Sequence, residues 1–327
     1  MKGLVLRDGA AAVRDDLPEP APGPGETTVQ VHVTGVCATD LALRRGYMGF
    51  EGVPGHEFVG TALDGPLAGR RVVGEINAGC GACPRCEAGD PRHCEGRSVL
   101  GILGRPGAFA ERLCLPTVNL LPVPDGVPDD TAVFAEPLAA ALQIPADLAP
   151  ARGTEVLVAG DGRLGLLCAH ALHEAGARVT VAGHHPDRAA LLPPGVALHT
   201  DWLEADGGPG PEPRFPLAVE ATGHPDVLPR LLAWLAPRGT LVLKTTSERP
   251  VELDLAPLVV AEQRLVGSRC GRFAPALELL ATGRVPVERF VAARYPLARA
   301  DEALAHAGRP GVLKVLVDVA RPDAGGP

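Results

Sequence analysis

The first 145 residues or so alternate apolar and polar positions in short runs that Gly and Pro interrupt. Period-two alternation of this length is typical of half-buried β-strands. Three runs predict strands over Thr28–Val33, Glu57–Leu63 and Arg71–Asn77, and no long amphipathic helix is evident among them. The pattern therefore predicts a mostly β first domain, residues 1–147.

From about residue 150 the pattern changes to apolar strands that alternate with helices. Strands are predicted over Glu155–Ala159 and Arg178–Ala182, with a helix from Leu164 to Ala175 between them. The series continues with three more strands and one helix, over Phe215–Ala221, Thr240–Lys244, Arg264–Gly267 and His224–Ala236. Such alternation indicates an α/β domain with a doubly wound parallel sheet, residues 148–271.

The last segment, residues 272–327, predicts two helices and a final strand, over Pro275–Thr282, Ala300–Ala307 and Val312–Val319. Its elements could complete the parallel sheet or return to the first domain.

Composition narrows the functional classes. The chain has 327 residues and a formal net charge of −8, and its Arg and Lys residues form no stripe. We therefore expect no nucleic acid partner and no attraction to anionic membranes. No run approaches the roughly 18 apolar residues of a membrane helix, and the first residues resemble a strand more than a signal peptide. A cytoplasmic, reducing location follows, in which the eight cysteines are metal ligands or free thiols.

Four of these cysteines, Cys80, Cys83, Cys86 and Cys94, form C-x2-C-x2-C-x7-C in a loop rich in Gly and Pro. Thiolates at this spacing can surround a tetrahedral zinc ion, and a shell closed by four of them is structural. Unligated thiols or an iron–sulfur cluster are the other interpretations. A zinc ribbon that binds nucleic acid is disfavoured because the loop has few basic residues and no aromatic ones.

A second candidate metal site is dispersed along the chain. Cys37 precedes Thr39 in a turn, His56 and Glu57 begin a strand, and Glu136 follows far downstream. One thiolate, one imidazole and one or two carboxylates can hold a catalytic zinc ion that keeps a position open for substrate. Each of these residues alone is more often a packing residue, so the hypothesis depends on their occurring together.

A glycine-rich motif lies between a predicted strand and a predicted helix. In the run Gly160-Asp-Gly-Arg-Leu-Gly165, the residues Gly160, Gly162, Arg163, Leu164 and Gly165 are candidate dinucleotide contacts. The glycines allow a tight turn and close approach of a pyrophosphate to the helix N-terminus. The motif is weak alone, but its position between strand and helix makes it fairly specific.

The end of the next strand bears on the choice of cofactor. The acidic residue that usually binds the ribose 2′-hydroxyl there is replaced by Gly183, and His184, His185 and Arg188 follow. Without a carboxylate to repel a 2′-phosphate, and with donors nearby, the sequence favours NADP(H) over NAD(H). The alternative is that these polar residues only decorate a loop.

The three motifs, in this order, resemble those of the zinc-dependent alcohol dehydrogenases of the medium-chain dehydrogenase/reductase family. The branch of polyol, glucose and threonine dehydrogenases is most similar, because of Glu136-Pro-Leu138 and Val266-Gly-Ser-Arg269. The resemblance implies a GroES-like catalytic domain formed by both chain ends, 1–147 and 272–327, a Rossmann domain between them, and an active site in the cleft.

The resemblance also implies roles for individual residues. Cys37 and His56 are expected to bind the catalytic zinc, with Glu57 and Glu136 binding it or holding its water. Thr39 is expected to pass the substrate proton towards the cofactor ribose. Ala42 replaces the histidine that many relatives have at the outer end of the relay, so the proton is expected to leave through Thr39, ribose and water, or through Glu57. Thr222 and Arg269 are also expected to contact the dinucleotide. A homodimer or homotetramer, formed through the edge of the cofactor-domain sheet, is expected by the same analogy.

Together these features predict an oxidoreductase with two zinc ions per chain, which transfers a hydride between NAD(P) and a small alcohol, polyol or sugar. Zinc can act as a Lewis acid on the substrate oxygen while the dinucleotide carries the hydride. Two alternatives remain open from sequence: a zinc-independent quinone or enoyl reductase of the same family, and a non-catalytic sensor that binds zinc and dinucleotide.

Overall fold

The computed structural model describes residues 1–204, 207–210, 215–246 and 249–319. One unit consists of Met1–Glu136 and the chain from Arg272 onwards, and the other of Pro137–Gly271. The first boundary was placed at residue 147 from sequence. It lies earlier because the helix Ala135–Leu148 begins in one unit and continues in the other.

The strands and helices are numbered along the chain. The strands are β1 Gly3–Arg7, β2 Ala10–Arg14, β3 Glu26–Gly35, β4 Glu57–Ala62, β5 Arg71–Gly74, β6 Asn77–Ala78, β7 Ser98–Leu100, β8 Gly104–Arg105, β9 Arg112–Pro116, β10 Leu120–Pro122, β11 Glu155–Ala159, β12 Arg178–Ala182, β13 Ala197–His199, β14 Phe215–Glu220, β15 Leu235–Leu243, β16 Arg264–Gly267, β17 Val291–Pro296 and β18 Lys314–Asp318. The α-helices are α1 Ala38–Arg44, α2 Pro84–Glu87, α3 Asp129–Ala132, α4 Ala135–Leu148, α5 Arg163–Glu174, α6 Leu228–Trp234, α7 Leu255–Val260, α8 Phe273–Ala281 and α9 Ala300–Ala307.

The main sheet of the first unit runs in the order β10-β5-β4-β3-β18-β17, and β9 also pairs with β3. Strand β3 forms because its sequence alternates: Val29, Val31 and Val33 are buried, and the residues between them are partly exposed. Strand β18 pairs antiparallel with β3, so the C-terminal segment completes this sheet rather than the parallel one. A two-stranded sheet, β1-β2, and a three-stranded sheet, β6-β7-β8, belong to the same unit.

The second unit contains a six-stranded parallel sheet in the order β13-β12-β11-β14-β15-β16. Numbered from β11, this is the order 3-2-1-4-5-6 of a Rossmann fold. The α/β class with a doubly wound sheet, beside a mostly β unit, is thereby confirmed. Strands β11 and β12 have the predicted bounds. Other elements differ from the prediction. Strand β13 and helix α7 were not predicted, and β15 begins at Leu235 rather than at Thr240. The helix predicted over His224–Ala236 spans Leu228–Trp234 and ends there because Leu235 already pairs with Phe215 in the sheet.

Among the described residues, none of the helices is both long and apolar enough to cross a lipid bilayer.

A polar cluster joins three strands of the first unit to α3. The Nδ1 atom of His32 is 2.9 Å from Oδ2 of Asp129, and Arg71 Nη1 donates to Oδ1 of the same carboxylate at 2.7 Å. On the other side of the imidazole, Nε2 is 2.8 Å from the hydroxyl of Thr61. The hydrogen bond with His32, and then that with Arg71, lowers the pKa of Asp129, although partial burial opposes the shift. The charged carboxylate therefore stabilises the fold.

The substitution Asp129→Asn should reduce the free energy of unfolding at neutral pH by about 1–3 kcal/mol. Because the native pKa of this carboxyl is depressed, its contribution is present above the ordinary value of 3.8 and is lost as the pH falls through the lower native value. Urea unfolding from pH 7 to pH 3 measures the difference, which should shrink towards the acid end.

The control for this variant is Asp16→Asn, which removes an exposed pair with Arg14 and should leave the free energy of unfolding nearly unchanged. A destabilisation by Asp129→Asn that stays constant over the whole pH range would contradict the role assigned to its charge.

Candidate functional site

The four clustered cysteines lie in the loop between β6 and β7. Their sulfur atoms all lie within 4.8 Å of one another. In the described part of the chain, this is the one group of three or more Cys, His, Asp or Glu side chains whose ligand atoms lie so close together. A zinc ion bound by four thiolates separates their sulfurs by about 3.8 Å, given zinc–sulfur bonds of about 2.3 Å. The donor set and its spacing therefore fit a tetrahedral zinc ion.

Local backbone structure supports this loop. Cys83 precedes α2, and the backbone N–H of Cys80 donates to Cys94 Sγ at 3.4 Å. The backbone N–H of Ala82 is the main contact that lowers the pKa of the Cys80 thiol, to about 7. Gly79 is required by close packing, because a Cβ atom there would lie 2.7 Å from Cys86 Sγ. The chain is therefore folded around the thiols.

The second candidate metal site begins with Cys37, which caps the N-terminus of α1. Its backbone N–H donates to Oδ2 of Asp40 at 2.8 Å, and the N–H of Gly55 donates to Oδ1 at 3.1 Å. The same Oδ1 is 3.5 Å from Nδ1 of His56, a separation at which that buried nitrogen makes no hydrogen bond. Asp40 thus binds both segments that carry the predicted ligands Cys37 and His56.

The side chains of this group are almost fully buried, with 3% of His56 and none of Asp40 exposed. Burial alone would lower the pKa of His56, but the charge of Asp40 and the thiol of Cys37 raise it well above its ordinary value. A histidine that ligates a metal usually presents its other ring nitrogen to a carboxylate. With Nδ1 facing Asp40, Nε2 is the nitrogen left for a metal, so the arrangement fits zinc.

Asp40 was not among the predicted site residues. The signal was present in the sequence, because an acidic residue three positions after a helix N-cap often closes a capping box. Thr39, which was predicted, places its hydroxyl 3.8 Å from Cys37 Sγ.

Glu57, predicted as a carboxylate that binds zinc or holds its water, faces a lysine. Nζ of Lys314 is 2.6 and 2.8 Å from its two oxygens and 3.3 Å from the carbonyl oxygen of Val36, and the lysine is 1% exposed. The ammonium group also lies 5.6 Å from the centre of the Phe134 ring. Lys314 was not among the predicted site residues, although a lysine inside the apolar run Val312–Val319 indicates a buried charge.

Glu136 lies in the first turn of α4 and is 9% exposed. Its assignment to zinc, like that of Glu57, stays a prediction.

The glycine-rich motif connects β11 to α5. Gly160 has φ +111, and a Cβ atom there would lie 2.5 Å from the carbonyl oxygen of Ala221. A Cβ atom on Gly165 would lie 1.9 Å from the carbonyl oxygen of Gly160, so helix and turn pack without side chains. Beside Gly162, the residue that caps the helix, no atom lies within 4 Å of the Cβ position. The open helix N-terminus fits the pyrophosphate of a dinucleotide.

The other predicted cofactor contacts of the motif region are Arg163 and Leu164, in the first turn of α5, where both are partly buried.

Thr222 lies just after β14, at the same end of the sheet. Its backbone N–H and its hydroxyl both donate to Oε1 of Glu220 at 2.7 Å, and Thr245 donates to the same oxygen at 3.1 Å. Glu220 is 2% exposed and was not predicted. Glu220 therefore fixes the turn that carries Thr222.

Arg269, the last of the predicted cofactor contacts, is exposed, and its carbonyl oxygen accepts a hydrogen bond from Lys244 at 3.0 Å.

At the end of β12, the sequence predicts that no carboxylate is present, because Gly183 replaces the usual acidic residue. Gly183 has no side chain, but the carboxylate of Asp161, from the glycine-rich motif, accepts hydrogen bonds from the backbone N–H groups of His184 and His185 at 2.9 and 2.7 Å. The statement that no carboxylate lies at this place was wrong. Asp161 was not predicted because it lies in the glycine-rich motif after β11, whereas the usual acidic residue lies at the end of β12.

We expect Asp40→Asn to weaken zinc binding at Cys37 and His56 by about 10–100-fold, because the substituted amide no longer holds the imidazole with a charge. Competition with a coloured chelator measures the affinity. Asp16→Asn, at an exposed position, is the matched control. Unchanged affinity in the Asp40 variant would contradict the positioning role of this carboxylate.

Comparisons with known proteins agree with this geometry. Residues 23–125 match the model of the alcohol dehydrogenase GroES-like domain. An L-threonine 3-dehydrogenase of Streptomyces avermitilis is 30% identical over 93% of this chain and 94% of its own. That of Streptomyces coelicolor is also 30% identical, over 97% of this chain and 99% of its own.

Two solved structures are similar to this chain over nearly their whole length. A zinc-binding dehydrogenase of Sinorhizobium meliloti 1021, bound to NADP, is 28% identical with a TM-score of 0.85, covering 97% of this chain and 99% of that one. Alcohol dehydrogenase TADH of Thermus sp. ATN1 has the same identity and TM-score, covering 98% and 100%. The chain belongs to the zinc-dependent alcohol dehydrogenases of the medium-chain dehydrogenase/reductase family, and it is an NAD(P)-dependent oxidoreductase that acts on hydroxyl groups.

Proposed function

We propose that this protein holds two zinc ions per chain and oxidises a secondary hydroxyl group of a small polar substrate, or reduces the matching carbonyl. The observation that carries the proposal is the group of Cys37, Asp40 and His56, in which one buried carboxylate binds the backbone of both ligand segments and faces the buried imidazole. This group is an arrangement for holding a metal in a fixed geometry. The four-cysteine loop supports the second, structural zinc ion.

When bound, zinc would supply a Lewis acid at the substrate oxygen and the dinucleotide would supply the hydride acceptor. The residues of the chain hold the metal, orient its ligands and carry the proton. Cys37 and His56 hold the metal, and Asp40 keeps the imidazole in one orientation. Thr39 passes the hydroxyl proton towards the cofactor ribose. Because Ala42 has no group that could carry the proton further, the proton leaves through ribose and water, or through Glu57. Lys314 neutralises Glu57, so this carboxylate adds little net charge near the ligands.

The substrate class is inferred from the relatives. The two Streptomyces proteins carry the name L-threonine 3-dehydrogenase, and the oxidised group of that substrate is a secondary alcohol. A small polyol, sugar or hydroxy compound with a secondary hydroxyl is therefore the substrate class to screen. The cofactor is a nicotinamide dinucleotide. The sequence favours NADP(H) because of Gly183, His184, His185 and Arg188, and the S. meliloti structure is bound to NADP, but the carboxylate of Asp161 beside Gly183 opposes that preference. The Asp161 carboxylate affects the choice between NAD(H) and NADP(H) through its contacts, which are described below.

We also propose that the protein forms a homodimer, or a homotetramer of two such dimers, through the edge of the parallel sheet. Strand β16 is the last strand of that sheet, and Leu265 on it is 37% exposed. The adjacent α7 exposes Leu255, Val259 and Val260 at 60, 70 and 85%. An apolar patch beside an unpaired edge strand favours association. The cytoplasmic location predicted from sequence is part of the same proposal, because the cysteines are assigned to metal ligation or packing rather than to disulfides.

Metal content tests the two-zinc proposal. Protein purified without chelator should contain two zinc ions per chain by atomic emission spectroscopy, and Cys37→Ala should contain one and lose turnover with alcohols and polyols. Cys86→Ser should lose the other ion and some stability, since a structural zinc contributes to folding directly.

The matched control for both variants is Cys114→Ser, a cysteine that lies outside either group. One zinc ion in the unsubstituted protein, unchanged by Cys37→Ala, would refute the catalytic site and favour a reductase that needs no zinc. Two zinc ions with no turnover on any substrate of the class would favour the sensor.

The dimer proposal predicts the effect of a charge on the exposed patch. Val260→Asp combined with Leu265→Asp should convert the protein to monomers in sedimentation equilibrium, because an unpaired carboxylate cannot be buried at an interface without a large cost. Val118→Asp, at a valine 90% exposed in the other unit, should leave the mass unchanged. A monomeric unsubstituted protein would contradict the proposal, as would a double variant of unchanged mass.

A further inference from the structure

Asp161 occupies an unusual place in the dinucleotide-binding unit. It lies between the first two glycines of the motif, and its side chain is only 6% exposed. Besides the two backbone N–H groups of His184 and His185, the ring Nδ1 of His185 lies 3.1 Å from each of its oxygens. A carboxylate can accept about four hydrogen bonds. Three donors face it, so it retains capacity for another donor, such as a hydroxyl group.

Gly183 and Asp161 are complementary in shape. A Cβ atom on Gly183 would lie 2.3 Å from Cγ of Asp161 and 2.4 Å from its Oδ2. The carboxylate thus fills the place where residue 183 would begin its own side chain. The end of this strand is where a dinucleotide fold normally presents an acid to the adenosine ribose. The position therefore carries a carboxylate after all, delivered from the glycine-rich loop.

The carboxylate is charged at neutral pH. Burial opposes ionisation, but the N–H and ring of His185 and the N–H of His184 lower the pKa of Asp161 below its ordinary value. The hydrogen bonds are the reason that a nearly buried group keeps its charge.

The donors that the sequence assigned to a 2′-phosphate already face carboxylates. The ring of His185 faces Asp161, as described above. His184 Nδ1 is 3.3 Å from Oε1 of Glu204, and Arg188 Nε is 3.7 Å from Oδ2 of Asp187. A phosphate dianion would have to compete with three carboxylates for these groups, whereas a neutral hydroxyl would not.

We propose that Asp161 determines cofactor specificity: its carboxylate takes the place of the missing acid at Gly183, accepts the ribose 2′-hydroxyl and repels a 2′-phosphate. The protein accordingly binds NAD(H) more tightly than NADP(H), the reverse of the preference predicted from the sequence. This inference rests on the proposed function, since it requires that the unit bind a nicotinamide dinucleotide.

The first test measures binding without catalysis. Dissociation constants of NADH and NADPH for the zinc-loaded protein are obtained from the change in their fluorescence, and those of adenosine 5′-diphosphate and adenosine 2′,5′-bisphosphate by calorimetry. The unsubstituted protein should bind the two ligands without a 2′-phosphate more tightly. Asp161→Asn should shift the NADPH-to-NADH affinity ratio towards NADPH by about tenfold or more, as expected for removal of a charge close to a phosphate.

A second variant separates the charge from the local structure. Gly183→Asp combined with Asp161→Gly moves the carboxylate to its usual position. Glycine is needed at 161 because even the Cβ atom of Asp161 lies 2.5 Å from the Cβ position of residue 183. This double variant should restore the preference for NADH that Asp161→Asn loses. A structural role of Asp161 alone predicts no such restoration.

Glu155→Gln is the matched control, because it removes one carboxylate from the same unit at the opposite end of β11 and should leave the ratio unchanged. Tighter binding of NADPH than of NADH by the unsubstituted protein would overturn the inference, as would an unchanged ratio in Asp161→Asn. If neither dinucleotide binds the unsubstituted protein, the inference and the proposed function both fail. If NADPH binds more tightly and turnover is observed, only the inference fails.

Discussion

The pairing of Gly35 with Glu57 between β3 and β4 is the constraint on which the candidate metal site depends. Cys37 follows the first of these residues by two positions, and His56 immediately precedes the second, so one register brings the two ligands to the same end of the sheet. Gly35 also pairs with Leu316 of β18, which delivers Lys314 to Glu57. A shift of one residue would turn every side chain of a strand to the opposite face. The two predicted ligands are therefore positioned by the pairing of the strands.

Buried charges recur around both candidate sites, and two of them, Asp40 and Asp161, are held by backbone donors. Transfer of an ion from water costs several kcal/mol unless its partners are well placed. Asp40 meets this requirement with two backbone N–H groups, and Asp161 does so with two more. Glu57 relies instead on a buried ammonium group. Because backbone donors cannot rotate away, Asp40 and Asp161 stay in place whether or not a ligand is present, which is the property that a preorganised site needs.

Much of the molecule could be predicted from the sequence because much of it is local. The strands β11 and β12 and the helix between them follow from apolar runs and a glycine, and the four cysteines lie within one loop. The Lys314–Glu57 pair could not be predicted, since its partners are 257 residues apart and meet only through the register of three strands. Likewise Asp161 and His185 are 24 residues apart, and their contact depends on β11 and β12 being neighbours. Glu136 and Thr39 occupy plausible positions on their helices, and their chemistry stays a prediction.

The pair formed by Gly183 and Asp161 shows why a position in a sequence is an incomplete guide to the charge at a site. The absent side chain at 183 creates the space that the other residue fills, so neither can be interpreted without its partner. Their close approach also couples them physically. Any side chain at 183 would overlap the carboxylate, and a loss of Asp161 would leave two backbone N–H groups at the end of β12 without their acceptor, at about 1–3 kcal/mol for each group that stays buried. A change of either residue alone is therefore costly, and the two positions are constrained to change together.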